Sequence, residues 1–580
     1  LTLTDSAIWN VISQSTTSVS GGDVLLIGSS NMNINDSILS VSSGNLNLDD
    51  NTFVDIESGS VVVSGGNVLF LGSSVFDGLI TDITVTCGQM IYDDNSQFDI
   101  DQSHVIVDRS SCGVSISERL DTPITVEDLI VVGGHASFTS SDSIFDLVDG
   151  NFLFVEFATS NIDSSSVNII GGNMEYIGST IHTLTQSDIN ISIGSFHIGE
   201  SVDISILDQS SIDITGGDLI IDGIPNVLIE NSSSNISSGI ASFLGGDIDI
   251  LSSELNVVES GSIIFGGSTL VNVEQSLLSL SGDGIFEISD NTQMSITSSS
   301  LSISGGLFTI NENAIVDILS STYEITGGDT NFEGFSQISI EDSSFSVLDG
   351  NVFFSGNSQV LINNSDYDVL GGNVVTSGNS LLQLNDGSCF TINDGSVEYT
   401  ENNHVELTNS CWNVLGGNVN FSDNSQYTLG SESTLTIKDG SFITEGQVNI
   451  LIDNSQTFIN GGDMKLFGES TIELRNSGLI EITSGNALFS GSITSIITDS
   501  EFNVNGGYVE FDGSSNVSWT NSKLTVSLGD MVTKGDSIVD FIDSTVLVSG
   551  GGLRFMGTSN INIETSSFTI NQGSTNFLEN

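Results

Sequence analysis

Apolar and polar residues alternate along almost the whole chain, in short runs that break at glycine-centred corners and restart about every 22 residues. Such alternation marks strands with one buried face. Taking the last glycine of each GG, SG or DG corner as an anchor gives Gly22, Gly44, Gly66, Gly88, Gly113, Gly134, Gly150 and onward to Gly573. From anchor to anchor the spacing holds nearly constant, as a fixed structural repeat requires. Around Gly350 the apolar positions are Phe345 and Val347 before the corner, Val352 and Phe354 after it, and Val360 and Ile362 beyond a second bend at Gly356 and Ser358. Around Gly507 the same offsets hold Phe502, Val504, Val509, Phe511, Val517 and Trp519. Three short strands per repeat cannot pair within one repeat. Their backbone groups are satisfied only by stacking on the same strand of the next repeat, about 4.8 Å away.

The pattern therefore predicts an all-β fold: a parallel β-helix of about 26 coils of about 22 residues, right-handed by the usual preference of parallel crossovers. Continuous repetition makes residues 1–580 one solenoid, roughly 125 Å long at one strand spacing per coil. Four residues after the anchor an aromatic recurs, in successive pairs such as Phe332 with Phe354, Phe489 with Phe511 and Phe555 with Phe577. These rings are expected to stack in the interior. Directly after the anchor, Asn351, Asn373 and their equivalents suit polar ladders at a corner. The repeat falters only between Cys112 and Gly150, where the anchors Gly113, Gly134 and Gly150 are unevenly spaced and Arg119 and Pro123 intervene. An irregular insertion is expected over 112–150.

Units such as Ser346-Val-Leu-Asp-Gly-Asn-Val-Phe-Phe-Ser-Gly-Asn-Ser358 resemble the right-handed β-helix superfamily, and more loosely the repeats of adhesins, autotransporter passengers and polymorphic outer-membrane proteins. The resemblance covers essentially the whole chain. It implies either a surface fibre or a carbohydrate-active protein, since both use this architecture.

Charge narrows the partners. The chain carries 74 Asp and Glu against 8 Lys and Arg, a formal charge of −66. Nucleic acid and anionic membrane would need a basic surface that the chain lacks. No apolar run approaches the roughly 18 residues of a membrane-spanning helix. With 63 glycines and only 2 prolines, the composition agrees with strands and tight turns. Acidic residues follow the outward positions, as Glu324, Asp329, Glu333, Glu341 and Asp342 do around Gly328. Such a surface recruits counterions, and Ca2+ is the hard cation suited to carboxylates and carbonyls, either at discrete sites or as a diffuse atmosphere.

The four cysteines form two pairs at matched offsets. Cys87 and Cys112 each precede their anchors by one residue, and Cys389 and Cys411 precede theirs by six. Stacked coils bring equivalent Cα atoms to about 5 Å, within disulfide range, so two inter-coil disulfides are expected, implying an oxidising, extracellular or cell-surface location. The histidines His104, His135, His182, His197 and His404 share no coil position with either pair, which argues against zinc. Acceptor sequons for N-glycosylation occur at Asn35, Asn190, Asn231, Asn235, Asn363, Asn420 and Asn516, all at outward offsets or corners. In so Asn-, Ser- and Thr-rich a chain they permit glycans without demanding them.

Chemistry of the hydrolytic or lyase kind would need unlike groups converging where coils depart from the template. The acid pairs Asp49–Asp50 and Asp93–Asp94 recur two coils apart, but Leu71 and Gly72 interrupt them, so they read as solvated turns. Lys438, Lys465, Lys523, Lys534, Arg109, Arg119, Arg475 and Arg554 are scattered. The expectation is thus a non-enzymatic structural solenoid, a filament or stalk segment. Its partners would be itself or a further solenoid, end to end, and glycans. The alternative is a carbohydrate-active or carbohydrate-binding β-helix.

Overall fold

The computed structural model describes residues 1–87, 89–108, 128–148 and 151–578. Among them there is no helix, and parallel strands make up about 25 turns of a β-solenoid. The turns fall into two compact units, Leu1–Met294 and Ser295–Asn580. In the first unit, Thr159–Asp163, Ser166–Ile169 and Asn173–Tyr176 form one coil. Each lies parallel to its equivalent in the next coil, with Thr159 opposite Ile181, Ser166 opposite Asp188 and Asn173 opposite Ser195. In the second unit, Gln337–Glu341, Ser344–Val347 and Asn351–Phe354 repeat the arrangement. Gln337 faces Gln359, Ser344 faces Asp366 and Asn351 faces Asn373. Three columns of stacked strands result, each satisfying its backbone groups on the coils before and after it.

Three corners join the columns, and each has its own chemistry. At the first, between the five-residue strand and the next, one residue takes a left-handed backbone and a buried serine follows, as with Ser164 (φ 50°) and Ser165, or Asn364 (φ 45°) and Ser365. The serine amide donates to the hydroxyl of the serine one coil on, at 3.0 Å from Ser143 to Ser165 and 2.9 Å from Ser343 to Ser365. Each hydroxyl in turn donates to the carbonyl two residues back, so the buried donors of the corner are paired. At the third corner the left-handed residue is a glycine or an acid, for example Gly178 and Glu200 in the first unit.

Where one coil stacks on another, the second corner leaves room only for glycine, as at Gly44, Gly66 and Gly551; at Gly22 a Cβ meets nothing. A Cβ on Gly66 would lie 1.7 Å from the carbonyl oxygen of Gly44, and one on Gly551 would lie 1.9 Å from that of Gly529. The space a side chain would take is already filled by the backbone of the preceding coil. In the second unit two coils carry the strand through this corner unbroken, as Gln456–Gly468 and Leu479–Gly491.

Inward residues of all three columns fill the core. The expected pairs stack, with ring centroids 4.7 Å apart for Phe332–Phe354, 4.5 Å for Phe489–Phe511 and 5.2 Å for Phe555–Phe577. A longer run occupies the middle column of the second unit. Tyr323, Phe345, Tyr367, Phe390 and Trp412 follow one another at 4.7, 4.5, 4.4 and 5.0 Å, all buried.

The region of the expected insertion has a simple geometry where it is described. Gln97 pairs with Ser137 and His104 with Ile144, so one coil is nearly twice as long as its neighbours. The strands Ser137–Ser141 and Ile144–Leu147 stack in the ordinary way, whereas Asp128–Val132 pairs with the preceding coil through Ile130–Val132 and shifts register between Asp128 and Ile130 against the next. Gly134, an anchor by its spacing, sits instead at the third corner (φ 64°) against Asp94, and Phe138 belongs to the first column, facing Phe98. Spacing misplaces it because a glycine serves two different corners. Gly88, Arg109, Cys112, Gly113, Arg119, Pro123 and Gly150 lie outside the described residues.

Gly66→Ala should lower stability by about 3 kcal/mol, the upper range for overpacking, read as a fall in the urea midpoint. Gly22→Ala is the control, since a Cβ there meets nothing within 4 Å. Equal midpoints for the two variants would show that close stacking of the corners is not what selects glycine.

Candidate functional surface: ladders on the outward faces

With the interior filled by packing, chemistry is confined to outward side chains, which the strand register aligns into files along the stack. In the middle column of the first unit, Asn168 donates to Asp146 at 2.8 Å, Asn190 to Asn168 at 2.9 Å, Asn235 to Asp213 at 2.7 Å and Asn256 to Asn235 at 3.0 Å. His104 closes that file, its Nε2 3.0 Å from Asp146. In the third column of the second unit, Asn351 donates to Asp329 and Asn373 to Asn351, at 2.8 and 3.0 Å. These are the corner-proximal Asn ladders.

The files separate the seven sequons. Asn190 and Asn235 spend their side-chain nitrogens, the atoms a glycan would need, on ladder bonds. Asn35 donates likewise to Glu57 at 2.8 Å. Asn363 accepts from Asn385, and Asn420 is half-buried on a strand. Asn231 and Asn516 are exposed, the first at a left-handed corner and the second at the start of a strand.

Carboxylates behave differently file by file. Asp55, Asp77 and Asp99 lie directly over one another. Lost hydration, and then the neighbouring charges of Asp77 and Glu57, push the Asp55 carboxyl above its ordinary value. Asp368 is raised by burial and by Asp366. Asp463 and Glu510 go the other way. Burial opposes their ionisation, but hydrogen bonds from Lys465 and Asn486 to the first, and from Lys534 and Tyr508 to the second, outweigh it. Arg475 with Asp453, Lys523 with Glu501, Lys534 with Glu510 and Arg554 with Asp530 each bridge one coil to the next, at 2.9, 3.4, 2.8 and 3.4 Å. Each exposed bridge contributes no more than about 1 kcal/mol. Asp50 and Asp94 accept from the amides of Gly28 and Gly72 at 3.2 Å, and the intervening coil keeps the two acids apart.

Cys389 and Cys411 are joined in a disulfide across adjacent coils, with Cα atoms 4.5 Å apart. The Cys87–Cys112 pairing lies outside the described residues, as Cys112 does; no described cysteine is free. Among the described residues, no three of His, Cys, Asp and Glu converge as they would around a metal ion.

One constellation leaves no mark in the repeat pattern. Ser160, Tyr176 and His182 are all buried in the first unit. The Ser160 hydroxyl lies 2.6 Å from His182 Nδ1, and the imidazole stacks on the Tyr176 ring at 3.5 Å between centroids. Burial lowers His182 to about 3. The position reads as an ordinary inward one, and only the residue type distinguishes it. Walled off from solvent, it is a structural polar cluster. The serine file of the first corner is equally hidden in the sequence, because isolated serines read as exterior residues.

No protein-family model, no curated protein and no solved structure matches the chain.

A histidine depressed by burial contributes stability that is fully present above its unfolded value of 6.5 and is lost as pH falls toward 3. The full loss is on the order of 5 kcal/mol. His182→Phe should flatten this dependence, so the wild-type-minus-variant difference in urea midpoint should shrink steadily from pH 7 to pH 4. A difference independent of pH would mean that the imidazole is not held neutral by burial.

Proposed function

We propose that the chain is a structural solenoid, a segment of an extracellular fibre or of the stalk of a surface adhesin, and that its work is mechanical continuity. The observation that carries this reading is the direction of its side-chain bonding. The Ser, Asn–Asp and Lys/Arg–acid rungs run from one coil to the next, so they hold coils together along the stacking direction. A fibre element needs that continuity, whereas a catalytic centre needs unlike groups turned toward a common point. The oxidised Cys389–Cys411 pair supports an extracellular or cell-surface setting.

Electron microscopy of purified protein should show particles joined end to end, increasingly so with concentration. Strictly monomeric particles at every concentration, or cleavage of a polysaccharide by the purified chain, would overturn the reading. Non-reducing peptide mapping should recover Cys389 linked to Cys411.

Calcium enters as part of the same proposal. Like charges stacked at strand spacing, as in Asp55–Asp77–Asp99, lie well within a Debye length of about 8 Å. Chelation at low ionic strength should lower the thermal midpoint, and monovalent salt should restore part of it. A midpoint indifferent to chelator would leave calcium without a structural part.

A further inference from the structure

We infer that the first unit carries a binding groove for a neutral oligosaccharide, at the first corner around Asp208 and Gln209. The groove arises from a break in the repeat. Neighbouring corners use one left-handed residue, Gln186, Asn231 or Ser252, but here Asp208 (φ 52°) and Gln209 (φ 70°) are both left-handed. The serine file shows the extra residue: Ser187 bonds to Ser210 across 23 positions, and Ser232 to Ser253 across 21. A longer corner with one shorter coil beyond it leaves a surface groove of about 690 Å³, whose lining includes Gln186, Asp208, Gln209, Asn231, Ser233 and Glu254. That volume lies in the range of small-ligand sites, about 300–1,000 Å³.

The lining differs from the Asn–Asp files beside it in its hydrogen bonding. Beside it, Asn190, Asn226, Asn235 and Asn256 spend their amides on the adjacent coil. Asp208, Gln209, Asn231, Ser233 and Glu254, by contrast, make no side-chain hydrogen bond or ion pair among the described residues. Two carboxylate acceptors, carboxamides that both donate and accept, and a hydroxyl are gathered around one space with their capacity unspent.

The chemistry of these groups selects the ligand class. An anion would meet Asp208 and Glu254 with no cation in the lining to offset them. An apolar ligand would find no apolar wall. A metal ion would find two carboxylates and no third charged ligand, and no metal-holding group of three exists among the described residues. A neutral sugar offers hydroxyls that donate to the carboxylates and accept from the carboxamides at the same time. Because nothing in the groove stacks against a sugar face, affinity rests on several hydrogen bonds made together. An extended oligosaccharide is favoured over a single ring. The sugar has two sources, a free glycan or one attached at Asn231 itself, and the same hydroxyl chemistry serves both.

The test is calorimetric titration of the full chain, expressed in a host that adds no N-glycans, with tetra- to hexasaccharides of the cello, malto, manno and xylo series, alongside galacturonate oligomers. At least one neutral series should bind, and the uronate series should not. Asp208→Asn with Glu254→Gln should weaken binding at least tenfold with an unchanged thermal midpoint, and deletion of Gln209, which restores the one-residue corner, should abolish it. Protein made in a glycosylating host should lose binding if Asn231 is occupied and regain it in Asn231→Gln. No binding in any neutral series, binding equal in the double variant, or binding that disappears with chelator would each overturn the assignment.

Discussion

The structure depends on the absence of a side chain at the corner where one described coil stacks closest on the next. Where Gly66 would carry Cβ stands the carbonyl of Gly44, and where Gly551 would carry it stands that of Gly529. Backbone packed on backbone at this corner lets successive coils close to strand spacing on all three sides at once. Everything else inherits its register from that contact. The serine amides reach the next serine hydroxyl, the aromatic centroids fall near 4.5 Å, and Cys389 and Cys411 come within 4.5 Å at their Cα atoms because the coils close to that spacing. Glycine at this one corner thus sets the scale on which the side chains of stacked coils meet.

The same spacing is costly for a chain of charge −66. A column that brings like residues together brings like charges together, and Asp55, partly stripped of water and set against Asp77 and Glu57, holds its proton more tightly in consequence. The outward files show three ways of limiting this. In the middle column Asn168 and Asn190 stand between Asp146 and Asp213, so that amides separate the carboxylates. Arg475, Lys523, Lys534 and Arg554 in the second unit each face an acid of the neighbouring coil. Acids at the third corner turn toward backbone amides, as Asp50 does to Gly28. Each device contributes little alone, and together they space the charge.

Much of this is legible in sequence because a repeat reports its own geometry. Alternation gives strands, the period gives their stacking, and matched offsets for Cys389 and Cys411, or Phe332 and Phe354, give contacts between residues far apart in the chain. What is lost is whatever the anchor cannot resolve. Gly134 looks like the second corner and serves the third, since both favour glycine for different reasons: one for want of space, the other for a left-handed backbone. The buried serines resemble exterior residues because hydropathy cannot tell a hydroxyl that solvates a surface from one that closes a turn. His182 falls by its offset among inward residues, but its pairing with Ser160 depends on rotamers that no spacing encodes.

The departures from the repeat are where recognition can arise, and the reason is geometric. A regular coil presents the same faces as its neighbours, and where Asn and Asp alternate along a file their side chains pair from coil to coil; in the file from Asp146 to Asn256 little hydrogen-bonding capacity remains for a ligand. An extra residue at a corner shifts the files out of step. The side chains at Asp208, Gln209 and Asn231 then have no counterpart at bonding distance, and the surface between them opens. The period that stabilises the solenoid thereby consumes its polar groups, and a one-residue irregularity releases them. A uniform scaffold can therefore gain a binding site without converging side chains from distant parts of the fold where an inserted residue leaves donors and acceptors unpaired, as at Asp208 and Gln209; at the like corner of Asn476 and Ser477 the Asn476 amide is instead taken up by Asp453.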